Sequence, residues 1–292
     1  MTAGLKGKIA LVTGAGTGIG RAIAKRFADE GVTVVITGRT EETLEEAANQ
    51  HENISYLVAD LGKPQDVANL VSEVRKRHGR LDILVNNAGI APVTPFAETT
   101  LDEYDRVFVT NVRGLVDLTH QALPLLKAVK GNVVNLTSSI IARPLANMST
   151  YAGSKAAVAS YTKVWAKEFA QDGVRFNLVS PGPIETPIYD KTDLSAEGIQ
   201  AHINRVTQLV PLHRFGKVEE VASVVAFIAS DEASFVTGAD FAVDGGLSIC
   251  GYRRRHHPVV AEMRRIACPE ACWRESNPTV IRINGLDWGA II

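Results

Sequence analysis

The sequence predicts an α/β protein built on a parallel sheet. Short apolar runs alternate with helix-periodic stretches of ten or more residues, and the first apolar run opens into a glycine-rich turn that leads into a helix. Polar and glycine-containing segments follow the later runs at the ends where ligands bind in such sheets.

Lys8 to Thr13 reads as the first strand, Gly14-Ala-Gly-Thr-Gly-Ile-Gly20 as the turn and Arg21 to Glu30 as the helix. Glycines there permit positive φ and let backbone N–H groups approach a phosphate at the helix N-terminus. The spacing departs from G-x-G-x-x-G, because Ile19 stands at the sixth position, and fits a looser T-G-x-x-x-G-x-G. Val32 to Thr37 is a second strand. An acid at the end of this strand would bind a ribose 2′-hydroxyl; here Arg39 stands instead, which favours NADP over NAD, with NAD(H) the alternative.

Glu41 to Gln50 is a helix, Ile54 to Val58 a third strand ending at Asp60, and Pro64 opens a helix that runs to about His78. Leu81 to Val85 is a fourth strand that leads to Asn86-Asn-Ala-Gly89. Leu101 to Leu126 is helical with an interruption near Asn111, a poor helix residue. Gly131 to Thr137 is a fifth strand and delivers Ser138 and Ser139 to its carboxyl end. A helix from Tyr151 to about Asp172, a sixth strand from Val174 to Val179, a helix from Lys217 to Ser230 and a seventh strand from Asp240 to Val243 complete the pattern. Glu185 to Val210, polar and broken by Pro187, reads as a substrate lid with short helices.

Tyr151 precedes Lys155 by one helical turn, so the two side chains share a face. A free phenol titrates near ~10; a neighbouring ammonium favours the phenolate and makes a tyrosine that can give and take a proton.

These pieces resemble the short-chain dehydrogenase/reductase family in their order: TGAGTGIG at Thr13 to Gly20, Asp60, NNAG at Asn86 to Gly89, Asn111, Ser138, YAGSK at Tyr151 to Lys155, and Pro181-Gly182. The resemblance covers roughly residues 5 to 249. It implies a Rossmann-type, doubly wound, seven-stranded parallel sheet with helices on both faces, and hydride transfer between a nicotinamide and a carbonyl or alcohol carbon. Ser138 would hydrogen-bond the substrate oxygen, Tyr151 would exchange the proton, Lys155 would lower the Tyr151 pKa, and Asn111 would position a relay water. Cofactor contacts would come from Gly14, Gly16, Thr17, Gly18, Ile19, Gly20, Arg39, Asp60, Leu61, Asn87, Ala88, Gly89, Tyr151, Lys155, Pro181, Gly182, Ile184 and Thr186. The substrate is expected to be a small carbonyl or alcohol of the ketone or sugar/polyol type. Its expected pocket walls are Pro92, Val93, Ile140, Ile141, Arg143, Leu145, Met148, Pro183 and Tyr189, mainly apolar with one cation.

Two alternatives accompany this reading. Relatives that reduce 3-oxoacyl-carrier-protein substrates offer basic residues near the active-site mouth, whereas here Lys127 and Lys130 are offset by Gln171 and Asp172. An NADP(H)-sensing regulator without catalysis would lack part of the Ser, Tyr and Lys set, all of which is present.

Composition sets the bounds. The formal charge of -1 gives no electrostatic case for nucleic acid or an anionic membrane, and no apolar run reaches the roughly 20 residues of a membrane span. The three cysteines, Cys250, Cys268 and Cys272, lie at the far end, so a cytoplasmic protein without a disulfide framework in its body is expected. One catalytic domain over 1–250 and an atypical, loosely ordered extension over 251–292 are expected. His256, His257, Cys268 and Cys272 have poor zinc spacing, so no metal is expected. The family resemblance implies a homotetramer or homodimer through the helices at about Val112 to Val129 and Ala152 to Asp172.

Overall fold

A computed structural model describes residues 2–186 and 196–249, all within the first of two units into which the chain divides, Met1–Cys250. The expected extension over 251–292 and Tyr189 lie outside the described residues. Seven strands form one parallel sheet in the order β3-β2-β1-β4-β5-β6-β7. They are β1 (Ile9–Thr13), β2 (Thr33–Gly38), β3 (Ile54–Val58), β4 (Ile83–Asn86), β5 (Asn132–Leu136), β6 (Arg175–Pro181) and β7 (Asp240–Val243). The fold expected from the sequence is the fold observed.

A parallel sheet must bury both faces, and successive residues of each strand serve opposite ones. Ala10, Val12, Val34, Ile36 and Val85 pack against α1 (Gly18–Asp29), α2 (Glu41–Ala48) and α8 (Val218–Ala229). Leu11, Val35, Leu84, Val133 and Phe176 pack against α3 (Pro64–His78), α5 (Gly114–Val129) and α6 (Ser149–Glu168). Phe176 is fully buried there, with its ring 5.9 Å from that of Trp165 and 5.8 Å from that of Phe169.

Helix boundaries follow local chemistry. Pro64 occupies the start of α3, and Gly79 closes it in the left-handed region at φ 71°, which only glycine adopts at no cost. The expected break near Asn111 is a single π-helical turn, Val109–Arg113, between α4 (Leu101–Phe108) and α5. The turn widens there because Asn111 is buried and pairs its side chain with the backbone of Ile90: Ile90 N donates to Oδ1 at 2.8 Å and Nδ2 donates to Ile90 O at 2.9 Å. A helix, α7 (Ala196–Thr207), occupies part of the expected lid.

The connection reverses direction between β1 and β4, which are neighbours in the sheet. The crevice beyond their carboxyl ends is the ligand position in doubly wound sheets.

The aromatic cluster supports the layer that carries α6. Phe176→Ala should lower the unfolding free energy by about 3–5 kcal/mol through lost burial and a residual cavity, read by urea denaturation with an unchanged m-value.

Candidate active site

Two loops meet in the crevice between β1 and β4. Gly14 follows β1 at φ 62°, and a Cβ there would lie 2.8 Å from Ala88 Cα. A Cβ on Gly20 would lie 2.5 Å from both Asn87 Nδ2 and Gly14 O. Only glycines allow the turn to close this tightly on the segment after β4. Asn87 fastens the contact, its Nδ2 donating to Thr13 O at 2.9 Å and Gly14 O at 3.0 Å. The backbone N–H groups of Asn87 and Ala88 both donate to Thr13 Oγ1, each at 3.0 Å. The Asn87 side chain is therefore a tie between the two loops.

The start of α1 suits an anion. Thr17 is its N-cap yet makes no side-chain capping bond, and no acid stands in the first turn, so the positive end of the helix dipole is not neutralised from within. Gly18, at φ 56°, approaches the segment after β6: a Cβ there would lie 3.5 Å from Thr186 Cγ2. Ile19 packs against the core. Arg39 is exposed just past β2 and makes no hydrogen bond or ion pair among the described residues. Thr37 Oγ1, at the end of the same strand, is buried without a hydrogen-bond partner among those residues. Asp60 Oδ1 accepts from Gly62 N at 2.9 Å and caps its own turn, with Leu61 buried beside it. Gly182 N donates to Val243 O at 2.9 Å after the buried Pro181, and Ile184 is buried. The crevice thus presents the parts that a dinucleotide requires: a glycine turn, an uncapped helix start and polar loops at the strand ends.

Ser138, Tyr151 and Lys155 come together at the carboxyl end of β5. Ser138 stands close enough to Tyr151 to act on the ionisation of its phenol, and Ser138 Oγ accepts from Ile140 N at 3.2 Å. Lys155 is buried and its Nζ donates to Leu136 O at 2.8 Å, 5.9 Å from the centre of the Tyr151 ring. Burial lowers the Lys155 pKa to about 8. Burial also pushes the Tyr151 phenol upward, and Ser138 pulls it back. Lys155 was expected to lower the Tyr151 pKa; desolvation is the dominant influence on both groups in this geometry.

Asn111 stands close by, its side chain bonded to the loop after β4 and to α6. Both Nδ2 hydrogens are donated, one to Ile90 O and one to Ser154 Oγ at 3.0 Å. A Cβ on Gly89 would lie 3.3 Å from Asn111 Oδ1 and 3.4 Å from Lys155 Nζ, so the backbone of residue 89 passes beside both. Sequence reasoning did not find Leu136 O or Ser154. Backbone acceptors leave no trace in composition, but Ser154 lies three residues after Tyr151 on the same helical face, which was readable.

The expected substrate walls are dispersed in exposure. Ile140 is buried, Pro92, Ile141, Met148 and Pro183 are half-buried, and Val93 and Leu145 are 68% and 51% exposed. Arg143 is half-buried and donates to Leu247 O at 3.3 Å, tying the turn after Ser138 to the short 3-10 helix Leu247–Ile249. Lys127 and Lys130 lie where α5 runs into the amino end of β5, on the opposite edge from the crevice, and Lys127 pairs with Asp172 at 2.9 Å. They do not bear on the active-site mouth. No cluster of metal-ligating side chains occurs among the described residues.

Half-buried Tyr151 and buried Lys155 thus stand together at the carboxyl edge of a parallel sheet, in a fold whose first strand opens into a glycine turn. A family model described as enoyl-(acyl carrier protein) reductase matches residues 14–248, and the chain belongs to the short-chain dehydrogenase/reductase family, whose members generally use NAD(P)(H). It is 38% identical over 250 residues to a 3-oxoacyl-acyl-carrier-protein reductase of Thermotoga maritima, covering 84% of this chain and 99% of that protein. It is also 38% identical over 250 residues to an L-fucose dehydrogenase of Bos taurus, covering 85% and 92%. An oxidoreductase of Escherichia coli is 33% identical over 252 residues, covering 84% and 96%. The protein is an oxidoreductase of this family. No described helix is long and apolar enough to cross a membrane.

The buried lysine makes stability depend on pH. Its folded pKa, about 8, lies below the ordinary 10.5. Between those values the unfolded chain holds a proton that the folded chain has released, so this group adds stability as pH rises. Lys155→Met should therefore have its largest stability advantage over the native chain at about pH 7, with the difference narrowing by about 2 kcal/mol at about pH 9.5 in urea titrations. A difference independent of pH would contradict the assignment.

Proposed function

We propose that this protein is an NADP(H)-dependent oxidoreductase that interconverts a carbonyl and a secondary alcohol of the ketone or sugar/polyol type. The observation that carries the reading is the meeting of Ser138, Tyr151 and buried Lys155 at the end of β5. When bound, the nicotinamide supplies the hydride in reduction and accepts it in oxidation. Ser138 Oγ and Tyr151 Oη would hold the substrate oxygen, and Tyr151 would give its proton to that oxygen as charge develops there. In oxidation Tyr151 takes the proton back. Below about pH 8 Lys155 is an ammonium, which favours the phenolate left behind.

The phosphate preference rests on Arg39. It is exposed at the end of β2, where the sequence has no acid to bind a ribose hydroxyl, and a 2′-phosphate would give it a charged partner. A 3-oxoacyl-carrier-protein reductase is the second reading, favoured by the Thermotoga maritima relative that the chain spans almost completely. We place the enzyme in the cytoplasm, acting on small molecules.

Assembly as a homotetramer or homodimer is part of the same proposal. A groove of about 680 Å³ on the outer face of α4, α5 and α6 is lined by Phe108, Val112, Val116 and Tyr161 together with Asp105, Arg113, Asp117 and His120. Apolar residues flanked by both signs of charge suit an isologous contact between copies.

Rapid turnover of one class in a panel of aryl ketones, ketoses and 3-oxoacyl thioesters, faster with NADPH than NADH, is the expected result; NADH preference would overturn the role of Arg39. Tyr151→Phe should lower kcat by about 10³-fold with the cofactor KM nearly unchanged, and near-normal kcat would refute the assignment. Arg39→Ala should raise the KM for NADPH by about 10–100-fold and leave that for NADH unaltered. In light scattering the chain should run at a multiple of 31.4 kDa, and Val116→Arg should reduce that mass.

A further inference from the structure

Ser154 is fully buried, and its hydroxyl is engaged twice. Its single proton goes to Tyr151 O at 2.7 Å, and its lone pair receives Asn111 Nδ2–H at 3.0 Å. A serine within a helix can satisfy itself on a carbonyl of the preceding turn. The second bond, from Asn111, is not required by the helix. Asn111 in turn exchanges two bonds with Ile90, at 2.8 and 2.9 Å. One continuous chain therefore links the loop after β4, the π turn and α6.

We infer that Ser154 is a positioning residue for the proposed reaction: through Asn111 it sets the spacing between the Ala88–Ile90 backbone and the face of α6 that carries Tyr151 and Lys155. The inference rests on the reading of those two residues as the catalytic pair. The tolerance is small, since residue 89 runs between Asn111 Oδ1 and Lys155 Nζ with barely room for a Cβ. Loss of the Ser154 acceptor leaves a buried N–H of Asn111 without a partner and frees the π turn to shift. Displacements of about an ångström between reacting groups have large effects on rate.

Ser154→Ala preserves helix propensity and removes the acceptor. In it, kcat should fall about tenfold or more, with the cofactor KM changed by less than about threefold. Hydrogen exchange at the Ile90 amide should accelerate by about tenfold, while β5 exchanges as in the native chain. Against an Asn111→Ala background, Ser154→Ala should change kcat by less than about threefold, because both residues act through one contact. Ser154→Cys, with similar volume and a weak acceptor, takes the same comparisons where the alanine variant fails to fold. Native kcat together with native Ile90 exchange would overturn the inference, as would effects that multiply in the double variant. A native chain that turns over no carbonyl or alcohol would defeat the functional reading instead, and the exchange experiment would still judge the clamp.

Discussion

A buried ammonium must be given hydrogen-bond acceptors, and the carbonyl of Leu136 is the acceptor that Lys155 uses. That bond joins α6 to β5 at the point where the strand ends. Ser138 lies two residues past Leu136, and Tyr151 lies one turn before Lys155. One contact therefore brings the three side chains to a common place, and the sheet layer beneath them, from Phe176 to Trp165, holds α6 at the height this contact needs. The cost of desolvating the lysine appears as its lowered pKa.

The remaining polar groups near the crevice follow the same logic. Asn86 donates to Thr119 Oγ1 and Asn135 Oδ1, and Asn135 donates to Thr162 Oγ1, at 3.0, 2.8 and 2.7 Å. These bonds cross from β4 and β5 to α5 and α6 inside a layer that is otherwise apolar, so they fix register as well as contact. On the other face of the crevice, Thr13 and Asn87 bind the glycine turn to β4. The cofactor side and the proton-transfer side are thus positioned by separate sets of bonds that meet at Gly89.

Periodicity and punctuation made the fold legible. Apolar runs of strand length, Pro64 at a helix start and Gly79 after its end fixed elements to within a few residues, because local sterics decide them. The interruption at Asn111 was legible as a conflict with helix propensity, but its π geometry depended on Ile90, twenty-one residues away in the chain. Contacts between distant segments were beyond reach: Arg143 meets the carbonyl of Leu247, and Lys127 meets Asp172 on the far edge. The upward pull of burial on Tyr151 was not legible either, since a spacing of four residues says that two groups are neighbours and nothing about how much water surrounds them. Ser138, Tyr151 and Lys155 could be placed near one another from spacing and element order, whereas the bonds that hold them, through Leu136 O and Asn111, join segments that no spacing relates.

Desolvation bears on how such a pair can work. Burial disfavours the phenolate of Tyr151 and the ammonium of Lys155 alike, so each separate charge is opposed by its surroundings. Two opposite charges formed together in poorly solvated surroundings attract one another, which opposes both penalties at once. Titration of the two groups is then a property of the pair. The groups that set their separation, Leu136 O on one side and the Ser154–Asn111–Ile90 chain on the other, control that attraction without meeting the substrate. Backbone carbonyls and neutral side chains suit this task, because they fix distance without adding a charge that would compete with the pair.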